Sequence, residues 1–227
     1  MPNSHTTTPL SISNIAESSE QRPKDYYRVV VMGATKVGKT AIIRQFLYEV
    51  FPVDYSATVE ELHRGEFSVG GCSLTLDLLD TSGSCEFPVM KRLAIQTGDA
   101  VLLVYSIDDS ESFEEVRRLH DFVLEIRPAG IPIVVVGNKN DLQQKRQVRR
   151  EVAETVTCID WENGFVECSA KDNLNVVQVF KELLVQAKIP YDLSPALKKR
   201  RRSLPVFSST PKIKEKILLK RHSCAVS

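Results

Sequence analysis

One eight-residue run constrains this chain of 227 residues more than any other: Gly33-Ala34-Thr35-Lys36-Val37-Gly38-Lys39-Thr40. Its spacing is G-x-x-x-x-G-K-[ST]. In that pattern the backbone N–H groups of the loop cradle phosphates, the lysine reaches the β and γ phosphates, and the hydroxyl is offered to Mg²⁺. Lys39 and Thr40 stand at those two places. The pattern alone also arises in ordinary turns, so its flanks matter. Residues 28–32 are a β-branched run that reads as a buried strand, and residues 40–48 carry helical periodicity. A phosphate loop that leaves a strand and opens a helix requires an α/β architecture.

The rest of the chain supports that class. Residues 61–69 and 73–79 read as two strands joined at Gly70-Gly71, an antiparallel hairpin. Helical segments are expected over 87–96, 110–126, 148–157 and 176–187, with Ser110 capping the second of them. Between them lie apolar strand-sized runs at 100–107, 131–136 and 165–168. Strands that are apolar throughout belong to a parallel sheet covered on both faces. The expected fold is therefore a P-loop NTPase G domain, six-stranded and mostly parallel, with helices on both faces. Residues 1–25, rich in Ser, Thr, Asn and Pro, read as a disordered leader. Residues 26–191 form the folded domain and 192–227 a basic mobile tail.

Three further elements follow the later strands. Asp80-Thr81-Ser82-Gly83 offers a carboxylate to Mg²⁺ and a glycine N–H to the γ-phosphate. Asn138-Lys139-Asn140-Asp141 places a carboxylate where it can accept from N1–H and the exocyclic amine of guanine. Adenine has neither donor, and leaves a buried charge unpaired. Ser169-Ala170-Lys171 supplies a backbone contact to the guanine carbonyl. Four elements in order at four strand ends match the place where open parallel sheets bind ligands.

With these motifs the sequence resembles a Ras-family small GTPase over residues 26–190. Thr58-Val59-Glu60-Glu61-Leu62-His63, Phe87-Pro88, the run at 105–109 and Leu193-Ser194-Pro195-Ala196-Leu197 resemble the Ras-dva branch, with the Dexras and Rhes proteins as relatives. The resemblance implies GTP/GDP and Mg²⁺ as cofactors, with Phe51 flanking the guanine ring. It implies Thr58 on Mg²⁺ and the γ-phosphate in the GTP state. Residues 55–63 and 80–92 would be switches that meet effectors, an exchange factor and an activating protein. The catalytic set it implies is Lys39, Thr58, Gly83 and Ser84; the metal set is Thr40, Thr58 and Asp80.

Three departures bear on hydrolysis. Ser84 stands where most Ras proteins carry a water-orienting Gln, and is too short for that task. Thr35 and Lys36 replace a glycine pair, and a side chain at Thr35 crowds the path of an activator's arginine finger. Ser82 replaces the usual Ala. Intrinsic hydrolysis is expected to be slow. Lys36 either supplies an internal cation near the phosphates or faces solvent. Two functions stay open: a GTP/GDP switch with slow GTPase activity, or a constitutively GTP-loaded docking module. An ATP-dependent P-loop kinase is opposed by Asn138–Asp141.

Charge is divided sharply along the chain. From Ala196 onward ten Lys and Arg face one acid, a net +9; before it, 20 basic and 28 acidic residues give −8. The chain closes on Cys224-Ala225-Val226-Ser227, a prenylation box whose terminal Ser favours farnesyl on Cys224. One prenyl chain binds reversibly, and the basic tail is the natural second anchor on an anionic leaflet. The cytoplasmic face of the plasma membrane is the expected location and nucleic acid is not an expected partner. The run at 198–202 also fits nuclear import. No apolar stretch approaches the ~20 residues of a membrane span. Five cysteines without a C-x-x-C pair suggest neither disulfides nor zinc.

Overall fold

In the central strands, successive residues face opposite layers, which explains why their sequences are apolar throughout. In β1 (Tyr26–Gly33), Val29 and Val31 join one core while Val30 and Met32 join another. The computed structural model describes residues 24–52, 56–69, 72–83, 88–189 and 193. After β1 come α1 (Lys39–Tyr48), β2 (Glu60–Val69), β3 (Cys72–Thr81), α2 (Pro88–Thr97), β4 (Ala100–Ser106) and α3 (Ser110–Ile126). β5 (Ile133–Asn138), a 3-10 turn (Asn140–Lys145), α4 (Arg150–Glu154), a π-helical turn (Thr155–Asp160), β6 (Gly164–Glu167) and α5 (Val176–Gln186) complete the order.

The six strands form one sheet in the order β2-β3-β1-β4-β5-β6. Only β2–β3 is antiparallel; its register runs from Glu60↔Thr81 to Val69↔Cys72. The other four pairings are parallel. α1 and α5 cover one face: Ile42, Phe46, Val179 and Phe180 pack there on Val29, Leu102 and Val134. Phe46 and Phe180 stack with ring centroids 3.7 Å apart. Leu193 is fully buried in the same core. α2, α3 and α4 cover the other face, with Ile95, Phe113, Val116 and Ala153 on Val101, Leu103 and Val135. Parallel strands bring the loops after β1, β3, β4, β5 and β6 to one edge.

Two local expectations are corrected. The cap of α3 is Asp109, not Ser110: Asp109 is extended, and its Oδ1 accepts from Glu111 N at 3.1 Å and Ser112 N at 3.2 Å. A carboxylate one residue earlier reaches two of the orphan donors of the first turn, and Ser110 Oγ instead donates to Gln147 Oε1 at 3.3 Å. The helix expected over 148–157 is α-helical only at Arg150–Glu154, then widens into the π turn. There the β-branched Thr155, Val156 and Thr157 crowd the backbone, and Thr157 Oγ1 donates to Ala153 O at 2.7 Å. Trp161 packs against the second core and stacks on His120, ring centroids 4.0 Å apart. The Gly70-Gly71 connection, Ser84, Cys85, Phe87, the N-terminal leader, the basic run 198–202 and Cys224 lie outside the described residues.

Candidate functional site

At the sheet edge where the strands end, five chain segments surround a cavity of about 940 Å³. Thr35, Lys36, Gly38, Lys39 and Thr40 line it from the phosphate loop; Phe51 and Thr58 line it from the segment before β2. Gly83 closes one side, and Asn138, Lys139, Asp141, Ala170 and Lys171 the other. Gly33, Ala34, Val37, Asp80 and Ser169 belong to the same segments without lining the cavity themselves.

Lys39 opens α1 and is buried. Its Nζ donates to Gly33 O at 3.0 Å and Ala34 O at 2.8 Å, which holds the ammonium over the loop. Burial lowers that ammonium to about 8, despite the opposing charge of Asp80. The loop can run so close to β5 only because position 38 is glycine. Its φ is +97°, and a Cβ there would lie 2.3 Å from Asn138 Nδ2. Asn138 Nδ2 donates to Val37 O at 2.8 Å, while its Oδ1 accepts from Ala170 N at 3.1 Å. Asn138 therefore ties the phosphate loop to the loop after β6. Lys36, in the left-handed region at φ 62°, is exposed and lines the cavity.

Next to Lys39, Thr40 Oγ1 donates to Asp80 Oδ2 at 2.5 Å and lies 3.0 Å from Thr58 Oγ1. Burial raises the Asp80 carboxyl, opposed by the Thr40 hydrogen bond and the Lys39 charge. Asp80 Oδ1 is buried with no hydrogen-bond partner. Two hydroxyls and one carboxylate, whose second oxygen is buried and orphaned, fit Mg²⁺, which is held by one or two carboxylates and completes its shell with water and phosphate oxygens. Among the described residues no group of three or more His, Cys, Asp or Glu could hold a metal. Gly83 meets the phosphate loop directly: a Cβ there would lie 2.5 Å from Thr35 N.

At the far end of the cavity, Asp141 is held from two sides. Ser169 Oγ donates to its Oδ1 at 2.7 Å, and Lys171 Nζ lies 4.0 Å from Oδ2. The Asp141 side chain is only 12% exposed, so its acceptor oxygens are aimed rather than mobile. Lys139, in the left-handed region at φ 65°, starts the 3-10 turn that carries Asp141. Its Nζ is 3.6 Å from Asp108 Oδ1. Burial raises the Asp108 carboxyl, but the Ser106 hydroxyl, which donates to it, and the Lys139 charge hold it below its ordinary value. Phe51, 41% exposed, lies at the rim. Within the surface expected for effectors, Val59 and Leu62 are exposed and His63 is buried.

Sequence motifs did not point to Asp108, Arg146 or Glu167, which brace these loops from behind. Asp108 carries one signal, its position directly after a strand; Arg146 and Glu167 carry none.

The sequence matches the Ras family over residues 28–189. It is 42% identical to the GTP-binding protein Rhes of Homo sapiens over 187 residues, 78% of this chain and 70% of that one. It is 38% identical over 187 residues to the GTP-binding protein drn-1 of Caenorhabditis elegans, 81% and 83% of the two chains. It is 41% identical over 160 residues to the GTP-binding protein Di-Ras2 of Mus musculus, 70% and 80%.

Proposed function

The chain belongs to the Ras family, and on that premise we propose that it is a membrane-anchored GTP/GDP switch with slow intrinsic hydrolysis, related within the family to the Ras-dva branch. The observation that carries the nucleotide part is the convergence of the Thr40–Thr58–Asp80 hydroxyl and carboxylate set at one end of the cavity with Asp141, braced by Ser169, at the other. Ras-family GTPases bind GTP/GDP and Mg²⁺.

Each residue then has a task. Lys39 leaves its carbonyl partners for the β and γ phosphates, where a buried ammonium acts with little solvent screening. Thr40, Thr58 and Asp80 hold Mg²⁺, which supplies positive charge to the phosphates. Thr58 and Gly83 sit on separate segments, so both report whether the third phosphate is present. Asp141 accepts from the guanine N–H groups, Ser169 keeps its carboxylate aimed, and the backbone of Ala170 and Lys171 serves the carbonyl. Phe51 and the Lys139 stem flank the ring.

Slow hydrolysis is supported by Ser84 in place of a water-orienting Gln and by Thr35, exposed at the point where Gly83 meets the phosphate loop. The same two residues favour the second reading, a constitutively GTP-loaded docking module. Effectors would meet residues 55–63 and 80–92, where Val59, Leu62, Val89 and Met90 are exposed. Anchoring is supported by the +9 tail and the prenylation box at Cys224; no described helix is long and apolar enough to cross a membrane.

The nucleotide bound on purification from cells, together with single-turnover hydrolysis of GTP, tests this reading. Mixed GTP and GDP with slow turnover is expected. GTP alone without measurable turnover selects the docking module, and retention of ATP in place of GTP overturns both.

A further inference from the structure

Arg146 ends the 3-10 turn that carries Asp141, and it does not line the cavity. All five of its N–H groups are engaged. Nη1 and Nη2 grip Glu167 Oε1 and Oε2 at 2.6 and 2.9 Å, a two-pronged fork. Nη2 also donates to Asn140 Oδ1 at 3.1 Å, Nε to Gln143 Oε1 at 3.0 Å and Nη1 to Val148 O at 3.0 Å. Asn140 and Gln143 flank Asp141 within the turn, and Glu167 lies on β6 two residues before Ser169. One guanidinium therefore spans the two segments that aim the base-recognising carboxylate.

The turn needs such a strut. Leu142, next to Asp141, departs from helical geometry at φ −96°, ψ 37°. The turn is kinked there, and a regular ladder of helical bonds does not fix it. Asn140 N donates to Cys168 O at 3.0 Å, which supplies a second, weaker tie to the same β6 segment. Glu167 is 4% exposed, so the fork is shielded from water and its geometry is fixed.

We propose that Arg146 is a positioning residue for base recognition: by locking the Asp141 turn onto β6 it sets both the discrimination for guanine and the rate of nucleotide release. The proposal rests on the guanine-nucleotide reading above. Arg146→Lys keeps the charge and loses the fork. Glu167→Gln keeps the volume and weakens the grip from the other side.

The test uses the purified full chain with Mg²⁺ and measures affinity and dissociation of GDP and of IDP, whose base lacks the exocyclic amine that donates to Asp141. ADP affinity and the melting temperature of the GDP-bound form are measured alongside. The wild type is expected to prefer GDP over IDP and to reject ADP. Arg146→Lys is expected to speed GDP release about tenfold and to bring the GDP/IDP affinity ratio toward one, and Glu167→Gln to do the same to a smaller degree. A lower melting temperature with an unchanged GDP/IDP ratio in the variants assigns the strut a purely structural role and overturns the proposal. Should Arg146→Lys not fold, the ratio in Glu167→Gln decides. A wild type that holds ADP as tightly as GDP defeats the guanine reading itself, a result separate from the variants.

Discussion

Asp141 shows how much of a recognition event one side chain can carry once its neighbours fix it. Its Oδ1 accepts from Ser169 and the side chain is only 12% exposed. A wrong base therefore meets a buried charge it cannot satisfy. Asp141→Asn is expected to weaken GTP binding by about a hundredfold or more and to admit xanthine nucleotide, because the new amide donates to the xanthine carbonyl. Competition of XTP and GTP for the variant checks this; a wild type that binds ATP and GTP equally would sink it. At the other end of the cavity, Ser84→Gln combined with Thr35→Gly is expected to raise single-turnover hydrolysis by about tenfold or more. The gain comes from a side chain long enough to orient water and from the space cleared beside Gly83. A wild type already as fast as a Gln-bearing Ras protein would mean that another group orients the water.

At the level of elements, the antiparallel β2–β3 pair is pinned to β1 by a polar cluster. Asp77 on β3 is fully buried and accepts from Arg64 Nε at 2.7 Å, from Arg64 Nη2 at 3.1 Å and from the Tyr26 hydroxyl at 2.7 Å. The Arg64 hydrogen bonds hold the Asp77 carboxyl below its ordinary value, with burial opposing and Tyr26 assisting. A carboxyl whose folded pKa lies below its unfolded one stabilises the fold above about pH 4. That stabilisation disappears as the pH falls through the folded value. Asp77→Asn is expected to lower the melting temperature at pH 7 by a few degrees and to flatten the decline of stability below pH 4. Thermal melts of both proteins from pH 3 to 8 check it. Parallel curves for the two proteins would show that Asp77 does not contribute to the acid limb.

For the whole molecule the dominant feature is the split between a body of −8 and a tail of +9. Each basic residue near an anionic leaflet contributes about 1 kcal/mol, while one prenyl chain alone is reversible. Cys224→Ser is expected to release the protein from membranes. Neutralising residues 198–202 should weaken attachment and leave prenylation intact. Ser203 follows three arginines, and a phosphate there adds about −1.5 to −2 charges beside them. Ser203→Glu should therefore shift the balance toward the cytosol without altering nucleotide affinity. Imaging and fractionation of tagged variants measure all three. Undiminished membrane staining of Cys224→Ser would remove the lipid anchor; an unchanged Ser203→Glu would remove only the release switch.

The strand–loop–helix around Lys39 and the alternation of buried strands were legible in the sequence because both are local: one needs a spacing of eight residues, the other a change of periodicity. Asp141 was legible for the same reason, as part of a short motif after an apolar run. The cap of α3 lies one residue before the position its pattern suggests, and α4 widens into a π turn within a segment of helical periodicity. There the choice is made by competing hydrogen bonds, which a hydrophobic pattern does not record. Arg146 and Glu167 lie 21 positions apart, and Asp77 meets Tyr26 across 51. No spacing rule joins such pairs. The sheet, its nucleotide-binding edge and the residue types offered there follow from local patterns in the chain. Which buried charges meet depends on the tertiary structure, because only the assembled sheet brings distant segments within hydrogen-bond distance and excludes the water that would otherwise screen them.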